Sequence, residues 1–204
     1  MFTKNGNILK INGNWLNPSD SPVPPGPGPS PSLPPYTIRL RYMDGEHHSF
    51  DKGTAVQVSS SPNIWDLTYE NNDWTEVLYG HYNLLEVIAA NTTGVTEMIN
   101  LFSYCRALTT VPLFDTSSVI HLTSMFYNCS SLTYIPLFNT SSAVGMNYMF
   151  RNCTNVEGGA LALYQQASSQ TNPPEYHTAT FKDCGTNTVT GAAELEQIPA
   201  GWKS

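Results

Sequence analysis

One interval governs the middle of this chain: residues of the same type return every 24 positions. Phe102, Phe126 and Phe150 keep that interval, as do Cys105, Cys129 and Cys153. The phrase Leu108-Thr-Thr-Val-Pro-Leu-Phe-Asp-Thr-Ser-Ser118 is answered by Leu132-Thr-Tyr-Ile-Pro-Leu-Phe-Asn-Thr-Ser-Ser142. Stepping 24 back from the first full copy lands on Leu84, Val87, Ala89, Asn91 and Val95, a degenerate earlier copy. A fixed period in the range of roughly 20 to 29 residues describes coils that cannot bury their apolar sides alone and must pile on their neighbours.

The phrase also assigns positions within a coil. Leu108, Val111 and Leu113 fit L-x-x-L-x-L, a short strand with its aliphatic side chains inward. Met125-Phe126-x-x-Cys129 and Met149-Phe150-x-x-Cys153 place an aromatic ring and a thiol three apart, which suits the inward side of a returning helical turn. The expected fold class is an α/β repeat: a short leucine-rich-repeat solenoid over residues 78–156. A β-rich entry cap over 36–77 precedes it and a helical C-terminal cap over 157–204 follows. In the entry cap, Tyr36–Tyr42 alternates like a half-buried strand, with further strands at Thr54–Val58 and Ile64–Thr68. Asn72 or Asp73 would cap a short helix through Trp74, Val77 and Leu78. In the C-terminal cap, residues 158–169 have helical spacing and Asn172-Pro-Pro174 ends it, while Phe181-Lys-Asp-Cys184 repeats the F-x-x-C phrase out of period.

The pattern M-F-x-x-C-x-x-L-T-x-[IV]-P-L-F-[DN]-T-S-S resembles the BspA-like leucine-rich repeats of surface proteins from anaerobic gut bacteria and of phages that infect them. The resemblance covers residues 78 to about 156. It implies binding to host proteins or other surface partners and brings no catalytic residues.

Ahead of the repeats lies a stretch of another kind. Pro18 to Pro35 holds nine prolines in eighteen residues, a composition that favours solvated polyproline II and reads as a tether. Residues 1–17 carry Phe2, Ile8, Leu9, Ile11, Trp15 and Leu16, more apolar surface than so short a piece can bury against itself. They are expected to anchor the chain on a partner, read as a virion structural protein, with self-association through this segment left open. The first residues lack the apolar run of a signal peptide, and no apolar run approaches the roughly 18 residues of a membrane span.

Charge narrows the partners. Nine Lys and Arg face 16 Asp and Glu, a net charge of -7, with no basic run to neutralise a phosphate backbone or an anionic membrane. Nucleic acid and membrane insertion are therefore not expected. His47-His48 beside Asp44 and Glu46 resembles a metal or acid/base group but reads better as a solvated loop, lacking a second ligand pair at a recognisable spacing. Glu86, Glu97 and Asp115 supply carboxylates, with nothing in the sequence to make two of them converge. The four cysteines lack C-x-x-C spacing and are expected as buried thiols, a disulfide between neighbouring coils remaining open. The Asn-x-Ser/Thr matches at Asn91, Asn128, Asn139 and Asn152 fall inside repeat phrases and carry no assigned meaning. No catalytic residue, cofactor or metal is expected.

A surface remains. With Leu108, Val111 and Leu113 inward, Thr110 and Pro112 would face out beside Phe114, joined by Tyr134, Pro136 and Phe138 from the next copy and by Glu86 and Ile88 from the one before. The alternative is that Phe114 and Phe138 fold under as core. The expected function is a non-enzymatic binding module on a phage head or tail fibre, or otherwise on a bacterial surface, contacting host protein or glycan. A capsid decoration protein without an external ligand is the competing reading.

Overall fold

The computed structural model describes residues 10, 11, 14, 15, 33–45 and 49–204, the first four in backbone alone. Strands β1 (Lys10–Ile11) and β2 (Asn14–Trp15) pair antiparallel, with Lys10 opposite Trp15. Of the expected anchor residues, Phe2, Ile8, Leu9 and Leu16 lie outside the described residues, as do Glu46, His47, His48 and most of the tether.

The main sheet is built from β3 (Thr37–Tyr42), β4 (Thr54–Ser60), β5 (Asn63–Thr68) and β6 (Leu84–Asn91), all antiparallel, in the order β4-β5-β3-β6. Alternation in β3 does what a half-buried strand requires. Ile38, Leu40 and Tyr42 are buried together with Leu67 of β5, and the intervening Arg39 and Arg41 stay partly exposed. Arg39 grips Asp66 with two bonds of 2.7 Å, and Arg41 lies 3.1 Å from Glu86.

The α/β leucine-rich-repeat solenoid with capped ends is not the architecture that forms. Residues 92–159 contain neither strand nor helix, and the described structure is a mostly β arrangement whose α-helices are α1 (Ala160–Ser168) and α2 (Val189–Gln197), followed by a 3-10 turn at Ala200–Trp202. The degenerate copy at Leu84 is β6 of the antiparallel sheet, and the short helix expected through Trp74 and Val77 is a run of turns.

Two physical causes account for the difference. Two positions ahead of the buried Leu78, Phe102, Phe126, Phe150 and Phe181, residues Glu76, Asn100, Ser124, Tyr148 and Ala179 have φ between 50° and 61°. Two positions behind them, Gly80, Tyr104, Asn128, Asn152 and Asp183 have φ between 58° and 73°. Left-handed residues four apart break any helical turn. On the expected strand, Pro112 and Pro136 have no N–H with which to continue a ladder. Pairing there shrinks to single parallel bridges, Glu86 with Thr110 and Tyr134 with Gly158.

The turns nonetheless register on one another at the 24-residue interval. Leu122, Ser124, Phe126 and Asn128 donate their N–H groups to the carbonyls of Gly145, Asn147, Met149 and Arg151, each at 2.8–2.9 Å. The copy before repeats this, and the copy after does so onto Tyr176, Thr178, Thr180 and Lys182. Inside, the rings of Phe102, Phe126 and Phe150 stack at 5.2 Å per step, tilted by 14° and then 9°. Phe181 continues the column at 6.0 Å and 3°, although it stands 31 positions after Phe150 rather than 24. The seven added residues belong to the excursion through α1. Gly159 opens that excursion at φ 97°, where a Cβ would overlap the carbonyl of Ile135.

Candidate binding surface

The interior slots are occupied by groups unsuited to chemistry on a substrate. All four cysteines are free and buried. The thiols of Cys105, Cys129 and Cys153 donate to the carbonyls of Leu78, Phe102 and Phe126 at 3.2, 3.1 and 3.0 Å, each 27 residues back in the neighbouring turn. Burial pushes these thiols above their ordinary range, which disfavours the reactive thiolate. Among the described residues no three His, Cys, Asp or Glu come together in a metal-holding group.

The carboxylates singled out in the sequence are each engaged separately. Glu86 pairs with Arg41, and Glu97 receives Nδ1 of His121 at 2.8 Å. Asp115 accepts the amide and hydroxyl of Ser117 at 2.9 and 2.6 Å, and those bonds hold its carboxyl below the usual range. Asp44 accepts the amide of Asn63 at 2.9 Å. The asparagines of the repeat phrases serve structure: Asn152 donates to Asn128 at 2.9 Å, Asn139 accepts from Ser141, and Asn91 binds the carbonyl of Leu33.

The expected ligand face divides. Thr110 and Tyr134 are exposed and Glu86 and Ile88 are half-buried, but Pro112, Pro136, Phe114 and Phe138 are buried. Leu113, assigned inward from the strand pattern, is instead 63% exposed, and its counterpart Leu137 is 49% exposed. The period-2 argument fails because no strand continues past Thr110. Around the second proline the chain makes a tight turn, with the N–H of Phe138 donating to the carbonyl of Pro136 at 2.8 Å, and this carries the ring inward. Phe138 then stacks on Phe126 at 5.9 Å and meets Phe114 at 5.0 Å. Leu113, Leu137, Phe114 and Asn139 line a shallow open depression of about 310 Å³.

A different surface gathers several tyrosine side chains. Tyr104 meets Tyr79 at 5.5 Å and Tyr127 at 5.3 Å, both edge to face. The Arg106 guanidinium lies over Tyr82 and Tyr104 at 6.0 and 5.7 Å, and that of Arg151 over Tyr127 and Tyr148 at 6.0 and 5.6 Å. Five tyrosines and two arginines therefore form one continuous row. Tyr79 and Tyr82 are 48% and 62% exposed, and the other three rings are partly covered by their neighbours. Sequence reasoning passed over these residues, although the signal was present. Four of the seven, Tyr79, Tyr104, Tyr127 and Arg151, are the x positions of the L/F-x-x-H/C phrase, whose outer residues point inward.

A family model described as "Mycoplasma protein of unknown function, DUF285" matches residues 55–182, more than half of the chain. The chain belongs to the DUF285 family. That family is related to the BspA-like leucine-rich repeats, which agrees with the coarse resemblance of the repeat phrase, and the match carries no statement about a phage particle. No curated protein and no solved structure matches the chain.

Proposed function

We propose that this DUF285 protein is a non-enzymatic binding module whose working face is the tyrosine–arginine row. In the fullest form of the reading, segment 1–17 docks on a phage virion and the proline-rich segment presents the folded part to a host-surface protein or glycan. The row is the observation that carries the binding role. Tyr and Arg are among the side chains that dominate recognition hot spots, because each combines a large flat contact area with a polar end. Here the rings and guanidiniums already hold one another in place. The docking part is supported by the apolar residues of segment 1–17 and the nine prolines after it, and the virion setting by the BspA-like resemblance alone.

The test is the full chain on arrays of glycans and of surface proteins, with the bound material recovered and analysed chemically. Saturable binding that leaves the ligand unchanged is the expected result. Absence of binding on both arrays, or turnover of the ligand, contradicts the reading.

A further inference from the structure

Resting on that reading, we infer that the ligand of the tyrosine–arginine row is an acidic carbohydrate: a chain of pyranose rings bearing carboxylate or sulfate groups.

Charge is the first argument. The chain carries a net charge of -7, yet the row presents two cations. Among the described residues no carboxylate lies within 4.0 Å of Arg106 or Arg151, whereas Arg39 and Arg41 both have one. Nε of Arg151 is buried without an acceptor. The protein has thus fixed two guanidiniums between aromatic rings and left them unneutralised, and a fixed guanidinium fits a carboxylate or sulfate through paired N–H donors.

The second argument is what surrounds the cations. The row consists of phenol rings, guanidiniums and, alongside, the amides of Asn128 and Asn152, with no aliphatic side chain among its seven members. A protein interface of standard size takes roughly 20–30 residues a side, and the row supplies seven. A sugar asks for something else: its C–H face sits against the negative face of an aromatic ring, and its hydroxyls meet phenols and amides. The most open rings are Tyr79 and Tyr82, and Arg106 lies beside Tyr82 where an acidic substituent of the sugar would meet it.

Backbone conformation supplies a third argument. Tyr104 is left-handed at φ 64° in the slot that Gly80, Asn128 and Asn152 fill in the other copies, and Tyr148 at φ 59° in the slot of Glu76, Asn100 and Ser124. A bulky aromatic residue there is unfavourable for folding and is explained by what the ring does outside.

Four polymers separate the terms, each titrated against the full chain at low salt and again at 0.5 M. Polygalacturonate carries carboxylates on pyranoses, dextran sulfate carries sulfates, dextran is neutral, and poly-L-glutamate has carboxylates without sugar. Polygalacturonate or dextran sulfate should bind about tenfold or more tighter than both dextran and polyglutamate, with affinity falling at high salt. The variants Arg106→Gln and Arg151→Gln should each lose about tenfold, and Tyr82→Ala, at a site 62% exposed, tests the aromatic part should an arginine variant fail to fold. Polyglutamate binding as well as either acidic sugar overturns the carbohydrate in favour of an acidic protein. Binding that survives all three substitutions overturns the site. Failure of both acidic sugars, with a surface protein still captured on the array, overturns this inference and leaves the binding module standing.

Discussion

Replacing Phe126 with alanine is expected to destabilise the fold by about 3–5 kcal/mol, the range for removing a buried phenylalanine whose surroundings cannot collapse. Phe126 is fully buried, and its ring is stacked between Phe102 and Phe150 while also touching Phe138. Collapse is opposed by the backbone on both sides, because adjacent turns are held apart by hydrogen bonds of fixed length. Leu113→Ala is the matched control. Its side chain is 63% exposed and should change stability by no more than about 0.5 kcal/mol, despite sitting in the better match to a leucine-rich phrase. Urea unfolding of both variants checks the pair. Equal losses would mean that the two positions are buried alike.

The second large effect is alkaline. Cys105, Cys129, Cys153 and Cys184 have an ordinary thiol value of 9.0, raised in the fold first of all by burial. Tyr42 is pushed up from 10.0, by burial first and then by proximity to Cys105. Because the folded values lie above the unfolded ones, this contribution is whole below pH 9 and is lost as pH rises, the unfolded chain ionising first. The slope of each thiol rises from half its limit at pH 9 towards about 1.4 kcal/mol per pH unit, so four remove on the order of 4 kcal/mol between pH 9 and pH 10. Unfolding midpoints measured from pH 7 to pH 10.5 should stay level and then fall steeply. Cys129→Ala, though less stable at pH 7, should show about a quarter less slope. A level profile to pH 10, or rapid labelling of the native thiols by a disulfide reagent at pH 8, contradicts the buried-thiol account.

Part of this architecture was legible in the sequence. The 24-residue interval identified which residues stand over one another, and the alternation of Thr37–Tyr42 identified a strand. Conformation within a copy was not legible. Met-Phe-x-x-Cys has the spacing of a helical face, and only backbone angles reveal left-handed residues on either side of the phenylalanine. Leu113 and Leu137 look like core by residue type, and the prolines before them remove the strand that would have turned them inward. The candidate face was hidden for a related reason. Tyr82 and Arg106 share one slot of successive copies and Tyr148 comes from another, and stacked turns bring them into one row with the x-position residues.

The central claim is that residues 92–159, without strand or helix, are ordered by hydrogen bonds from turn to turn around a shared aromatic column. Amide hydrogen exchange of the native protein measures this residue by residue. The amides of Phe102, Phe126 and Phe150, which donate to Met125, Met149 and Thr180, should exchange as slowly as those in the centre of β3. Fast exchange throughout 92–159, with protection confined to the sheet and the two helices, would contradict it.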